Sequence, residues 1–265
     1  MKTCTKNSFL DIPISFFEKL GLSLSKKQEI FCLSLTLIYC VFIHLLNYYL
    51  EGSLSRDAIF YLRSISFLYS NNDNIMDFLP KGPYYVYPFL KFGFSLEQLL
   101  RTANIIFSLG NVVLIYLLGK AIFNSVNIAL SAALLLSVNP RMLDVSVSCT
   151  LEPAYLFFSG FSAYCAVLFF KHKKYYWVLF AGILLGCATM IRHESFECFI
   201  LFNIAFLYAL YCKKFKFRDI IPVNFLLLAG TLSGQLIYFY VFQIPASPKY
   251  VYMAFWRAFK EILFG

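Results

Sequence analysis

Charge is what this sequence has least of. Only 14% of its 265 residues are Asp, Glu, Lys or Arg, while 60% are hydrophobic and the mean hydropathy is +0.69. A soluble domain carries roughly 25% charged residues, so one water-facing core cannot hide this much apolar surface. Soluble enzymes, disordered tails and nucleic-acid-binding domains are poor fits to that composition. Acids are scarcer than bases, 14 against 23, giving a net charge of +9. In a membrane protein such an excess reports orientation and lipid headgroups rather than nucleic acid. Histidine is rare too. His44, His172 and His193 are scattered, without the spacing that two ligands on one helix face require, so no metal site is expected. The 8 cysteines contain no Cys-x-x-Cys pair. Cys32, Cys40, Cys165 and Cys187 sit in apolar runs, where a thiol behaves as a small hydrophobe. A cleavable signal sequence, a fixed-period repeat and a low-complexity linker are also missing from the pattern.

What is present is a series of apolar runs of 13 to 22 residues, against the roughly 20 that a spanning helix needs. They are Ile30 to Leu50, Asn104 to Phe123, Val126 to Val138, Pro153 to Phe170, Tyr176 to Ile191, Phe196 to Tyr211 and Ile221 to Phe242. Unpaired backbone groups cannot face lipid, so the fold class is all-α. The reading is a polytopic bundle of about seven spans. Residues 1–29 form a cytoplasmic amphipathic tail, with Ile12 to Leu22 lying on the membrane surface. Residues 30–242 form the transmembrane domain, including a polar outer loop over 51–101. Residues 243–265 form an outer interfacial helix that is cut short.

Lysines set the orientation. They cluster in the N-terminal tail, at Lys171–Lys174 and at Lys213–Arg218, segments that share one side if seven helices cross. That side is then cytoplasmic.

The acids and their basic partners fall on the opposite side. Asp57 sits in Leu54-Ser55-Arg56-Asp57-Ala58-Ile59-Phe60-Tyr61-Leu62, whose apolar positions recur at helical spacing. Two readings stand for it. It is either a first-turn acid facing a helix dipole, or a carboxylate at the membrane surface able to take a proton from a hydroxyl. Pro80-Lys81-Gly82-Pro83-Tyr84-Tyr85-Val86-Tyr87-Pro88 reads as a stiff loop. Its tyrosines form either an aromatic belt or a sugar-stacking wall, and Lys81 faces either a phosphate or lipid headgroups. Arg192, in Thr189-Met190-Ile191-Arg192-His193-Glu194, offers a planar fork for phosphate. It serves equally as a structural partner of Glu194 or Glu152.

The order of these words resembles the membrane half of GT-C glycosyltransferases of the protein-mannosyltransferase and aminoarabinose-transferase kind. The resemblance runs from Ser55-Arg56-Asp57-Ala58 and Tyr85-Val86-Tyr87-Pro88 through Arg101-Thr102-Ala103-Asn104, Asn139-Pro140 and Thr150-Leu151-Glu152-Pro153 to Ile191-Arg192-His193-Glu194. It implies a transferase moving a sugar from a polyprenyl-phosphate donor to a hydroxyl of a protein, lipid or glycan acceptor. The reaction would occur at the outer (periplasmic, extracellular or lumenal) face, with inversion. Asp57 then stands at the family's catalytic acid/base position. Arg192, with Lys81 or Arg56, would neutralise the departing phosphate. Glu152, Tyr84, Tyr87, His193 and Glu194 would position donor or acceptor. No cofactor, no metal and no nucleic acid enter this chemistry; membrane lipids are partners. Two departures stand out. Ala58 occupies the place of a second acid, and His193 that of the proline in the usual Arg-Pro-Glu. Such relatives also continue beyond the length of this chain. An inactive or partial membrane-domain remnant that binds lipid or a partner chain, and a lipid or solute carrier, are the alternative readings.

Overall fold

The computed structural model describes residues 25–50 and 83–242, with Ile59 between them. No strand occurs among the described residues. The helices are α1 (Lys26–Leu50), α2 (Leu96–Phe123), α3 (Val126–Ser137), α4 (Pro140–Val147), α5 (Glu152–His172), α6 (Tyr176–Ile191), α7 (Phe196–Tyr211) and α8 (Ile220–Val241). A 3₁₀ helix over Tyr84–Phe92 precedes α2.

Four of these helices are long and apolar enough to cross a membrane: α1, α2, α5, and α8 with its preceding turn. A fifth follows if α3 and α4, bent by 54° at Val138–Asn139, count as one broken span. The helices α6 and α7 are apolar but 16 residues long, or about 24 Å against a hydrocarbon core of about 30 Å. The chain is therefore an integral membrane protein with four or five spans by length, and the expected seven is reduced to that coarser count.

Several boundaries move from the sequence expectation, each for a local reason. The first helix begins at Lys26, not Ile30, because Ser25 and Gln28 exchange backbone and side-chain bonds as a capping box. The second begins at Leu96, not Asn104, for the same reason at Ser95 and Gln98. Glu97 to Arg101, assigned to the outer loop, is thus helical. The stretch after Asn139-Pro140 is also helical: Asn139 caps Met142, and Pro140 sits where its missing N–H costs nothing. The tyrosine segment is a 3₁₀ helix rather than a loop. It ends at Gly93, whose φ of +81° suits glycine.

Two ends of the bundle are fixed by contacts. At one, Glu29 on α1 meets Tyr116 and Lys120 on α2. At the other, the Arg101 guanidinium lies 5.5 Å over the Tyr48 ring. The first two helices are therefore antiparallel, and the chain continues in that alternation. Lys120, Lys171–Lys174 and Lys213–Arg218 share the first end. The starts of α2, α5 and α7 and the finishes of α1, α6 and α8 share the second.

Helices α6 and α8 run parallel and meet backbone to backbone. Gly182 and Gly186 face Gly230 and Gly234, and a Cβ on any of the four would strike main-chain atoms of the partner helix. Small residues four apart on both helices let them approach this closely in lipid. The seam also carries Gln235 Nε2 donating to Thr189 Oγ1 at 3.0 Å and the Cys187 thiol donating to the Gly234 carbonyl at 3.5 Å. Its upper end merges into a core of Tyr84, Tyr85, Leu100, Leu151, Ile191 and Tyr238.

Candidate active site

The site is built where α6 stops. Arg192 leaves the helix in an extended conformation, φ −145° and ψ 137°. A 3₁₀ turn over His193–Ser195 follows, closed by the buried Ser195 hydroxyl donating to the Arg192 carbonyl at 2.7 Å. This reversal brings Glu194 back onto the arginine it follows by two residues. Arg192 Nε and Nη2 donate to the two Glu194 carboxylate oxygens at 3.3 and 3.2 Å. Nη1 donates to Glu152, the first residue of α5, at 2.8 Å. The guanidinium lies 5.7 Å over the Tyr155 ring, one turn further along α5, a cation–π arrangement. Arg192 and Glu152 each keep 30% of their side-chain surface exposed, so the cluster opens to water.

Glu152 is held by residues that sequence reasoning passed over. Asn104 Nδ2 donates to the Thr150 carbonyl at 2.8 Å, and Asn111 Nδ2 donates to the Pro153 carbonyl at 2.9 Å. These two buried amides, on one face of α2, grip the chain on either side of Glu152. Tyr85 adds its hydroxyl to Asn104 Oδ1 at 3.2 Å, and Thr150 Oγ1 donates to the Val145 carbonyl at 2.9 Å. The signal was in the sequence as Asn104 and Asn111, seven positions apart in an apolar helix. A buried amide is retained there only when it is bonded.

A second cation stands beside this network. Arg101, 5% exposed, pairs with Glu97 at 2.9 Å. Cys149 lies next to it, its thiol pushed up to about 11 by burial. A third pair, Arg141 with Asp144 at 3.5 Å, is exposed on α4. Below the Arg192 cluster, an apolar groove of about 280 Å³ runs between α5 and α7, lined by Ala163, Ala166, Cys198, Leu201, Phe202 and Ala205 among others.

Of the expected site residues, Glu152, Arg192 and Glu194 come together. His193 lies in the turn between two of them; its side chain is outside the described residues. Tyr84 is 2% exposed, packed into the core with its phenol pushed up by burial. Its ring packs with Leu100, Leu151, Ile191 and Tyr238 in that core. Tyr87 is in the 3₁₀ helix, but its side chain is outside the described residues. So are Asp57, Arg56 and Lys81, together with the amphipathic helices expected in the first outer loop, at Ile12 to Leu22 and after residue 242. Among the described residues no three His, Cys, Asp or Glu side chains gather as a metal site would require.

Comparison with known proteins adds one match. Residues 81–254 fit the model of the family described as dolichyl-phosphate-mannose-protein mannosyltransferase, a stretch that covers more than half of the chain and includes Glu152, Arg192 and Glu194. No curated protein and no solved structure matches.

Proposed function

The chain belongs to the dolichyl-phosphate-mannose-protein mannosyltransferase family, and from that premise we propose that it transfers a sugar from a polyprenyl-phosphate donor to an acceptor hydroxyl. The class of GT-C membrane glycosyltransferase follows from the family; donor, stereochemistry and residue roles are our reading. The observation that carries it is the Arg192 fork, set at the head of the bundle between Glu152 and Glu194 and over Tyr155. An arginine so placed, partly exposed at the end of an apolar helix, suits the phosphate of a lipid whose tail stays in the bilayer.

In the reaction proposed, the acceptor oxygen attacks the anomeric carbon from the face opposite the phosphate. The carbon–oxygen bond to phosphate breaks as the new one forms, so the configuration inverts. The acceptor proton passes to the Asp57 carboxylate. The polyprenyl phosphate leaves with the bonding electrons, and Arg192 stabilises that developing charge. Glu152 orients Arg192. The helices α6 and α7 also cross, completing seven spans, and the lysine-rich end faces the cytoplasm.

The test is Asp57→Asn, assayed in membranes with a labelled polyprenyl-phosphate sugar. Transfer should fall by two orders of magnitude or more, about the scale of general-base catalysis, while donor binding is kept. Transfer at the wild-type rate would remove Asp57 as the base.

A further inference from the structure

We propose that Glu194 is a built-in competitor for the donor's phosphate, occupying the edge of Arg192 that the donor must take. The proposal rests on the reading that Arg192 receives that phosphate.

The guanidinium has one edge with two parallel N–H groups, Nε and Nη2, which is the edge that phosphates and carboxylates engage in pairs. Glu194 fills it with both oxygens. Glu152 takes only Nη1, from the side. The two carboxylates are not held alike. The Glu152 bond, 2.8 Å, has the length of a charge-assisted bond, and its backbone is gripped by Asn104 and Asn111. The Glu194 bonds, 3.2 and 3.3 Å, are long for that class. Glu194 sits on a three-residue turn with 44% of its side chain exposed, so water is ready to take the carboxylate when it leaves. Glu152 therefore anchors the arginine, and Glu194 is the exchangeable partner.

Displacing Glu194 into water frees the paired edge of Arg192 for the phosphate, while Glu152 keeps Nη1. After transfer the same carboxylate competes with the polyprenyl phosphate product and favours its release. Glu194 thus lowers affinity for both ends of the reaction and speeds turnover past the bound product.

The experiment measures binding of a long-chain polyprenyl phosphate to the full chain in lipid nanodiscs. Glu194→Gln should bind about three- to tenfold more tightly than wild type, the scale of one partly exposed ion pair. Glu194→Asp, too short to span both nitrogens, should shift the same way. Stronger product inhibition should accompany the gain. Glu152→Gln should not tighten binding, and the uncharged polyprenol should bind all forms alike. Wild-type or weaker affinity in Glu194→Gln, with binding still abolished by Arg192→Ala, would overturn the competitor role and leave the phosphate reading intact. Equal tightening toward polyprenol would also overturn it. Wild-type affinity in Arg192→Ala would sink the phosphate reading and the competitor with it.

Discussion

The α6–α8 seam makes a quantitative demand. Adding one methyl group, Gly186→Ala, places a Cβ against the Thr231 carbonyl, 2.9 Å from Gln235 N and 3.0 Å from Gly234 Cα. Ordinary contacts begin at 3.4 Å, and every obstructing atom is main chain, so no rotamer change relieves the clash. The helices must part by roughly half an ångström or more, loosening contacts along the whole seam and stretching the Gln235–Thr189 bond. Overpacking of this kind costs about 1–3 kcal/mol, which outweighs the ~1 kcal/mol that alanine gains over glycine in a helix. Gly160→Ala is the control. Its Cβ would meet only the Leu114 side chain, the nearest atom Cδ2 at 2.8 Å, and that leucine can swing aside. Gly160→Ala should therefore be neutral within about 0.5 kcal/mol, and the two variants should differ by about 1–2 kcal/mol in denaturant unfolding in mixed micelles. Because α6 ends on Arg192, Gly186→Ala should also weaken donor binding, and Gly160→Ala should not. Equal stabilities for the two variants would refute the close-packed seam.

Two further outcomes follow from the support of Glu152 and from its neighbour. Asn104→Ala removes the donor to the Thr150 carbonyl and the acceptor for Tyr85; it should cost about 1–3 kcal/mol and raise the donor's KM. Unchanged stability would show that the Asn104 amide does not hold the Glu152 loop. Cys149 is protonated at neutral pH because burial holds its thiol at about 11. At pH 8 about one thiol in a thousand is thiolate, so maleimide labelling there should be slow and should rise about tenfold for each unit toward pH 11. Rapid labelling at pH 7 would contradict the burial.

The sequence disclosed the apolar helices well because a lipid-facing helix needs no partner to reveal it. Tyr176 to Ile191 and Phe196 to Tyr211 match α6 and α7 to the residue. Helix starts were less visible to hydropathy, because caps are polar and lie outside the apolar run; Ser25-x-x-Gln28 and Ser95-x-x-Gln98 carried the missing information. The count of spans was not legible, since crossing depends on length and tilt, and α3 bends into α4 at a proline. The close helix seam was not legible either, because it lies in the pairing of Gly182 and Gly186 with Gly230 and Gly234, which no single stretch of sequence displays. Of the candidate site, Arg192, Glu152 and Glu194 were readable as residues able to pair. That Arg192 takes both carboxylates at once depends on the turn at Ser195, a three-dimensional fact. Tyr84 was readable as part of an aromatic belt or of a sugar-stacking wall, and its burial required the ends of α2, α6 and α8 to converge on it.

The distribution of charge bears on how an anionic lipid reaches this site. At the Arg192 end, the described arginines each already have a carboxylate: Arg101 has Glu97, Arg141 has Asp144, and Arg192 has Glu152 and Glu194. Glu197 adds another acid nearby. The side chains of further cations, Arg56, Arg63, Lys81 and Lys91 among them, lie outside the described residues. The excess behind the chain's +9 sits instead at the far end, on Lys120, Lys171, Lys173, Lys174, Lys213, Lys214, Lys216 and Arg218, with Glu29 and Asp219 as the acids among them. That end is separated from Arg192 by about the length of α6, 16 residues or ~24 Å, about three Debye lengths at physiological salt. The lysine-rich end therefore does not draw a phosphate from water to Arg192. Delivery along the bilayer, followed by exchange at the paired edge of Arg192, is the route consistent with this field. It also makes donor binding less sensitive to salt than binding to a bare arginine cluster would be.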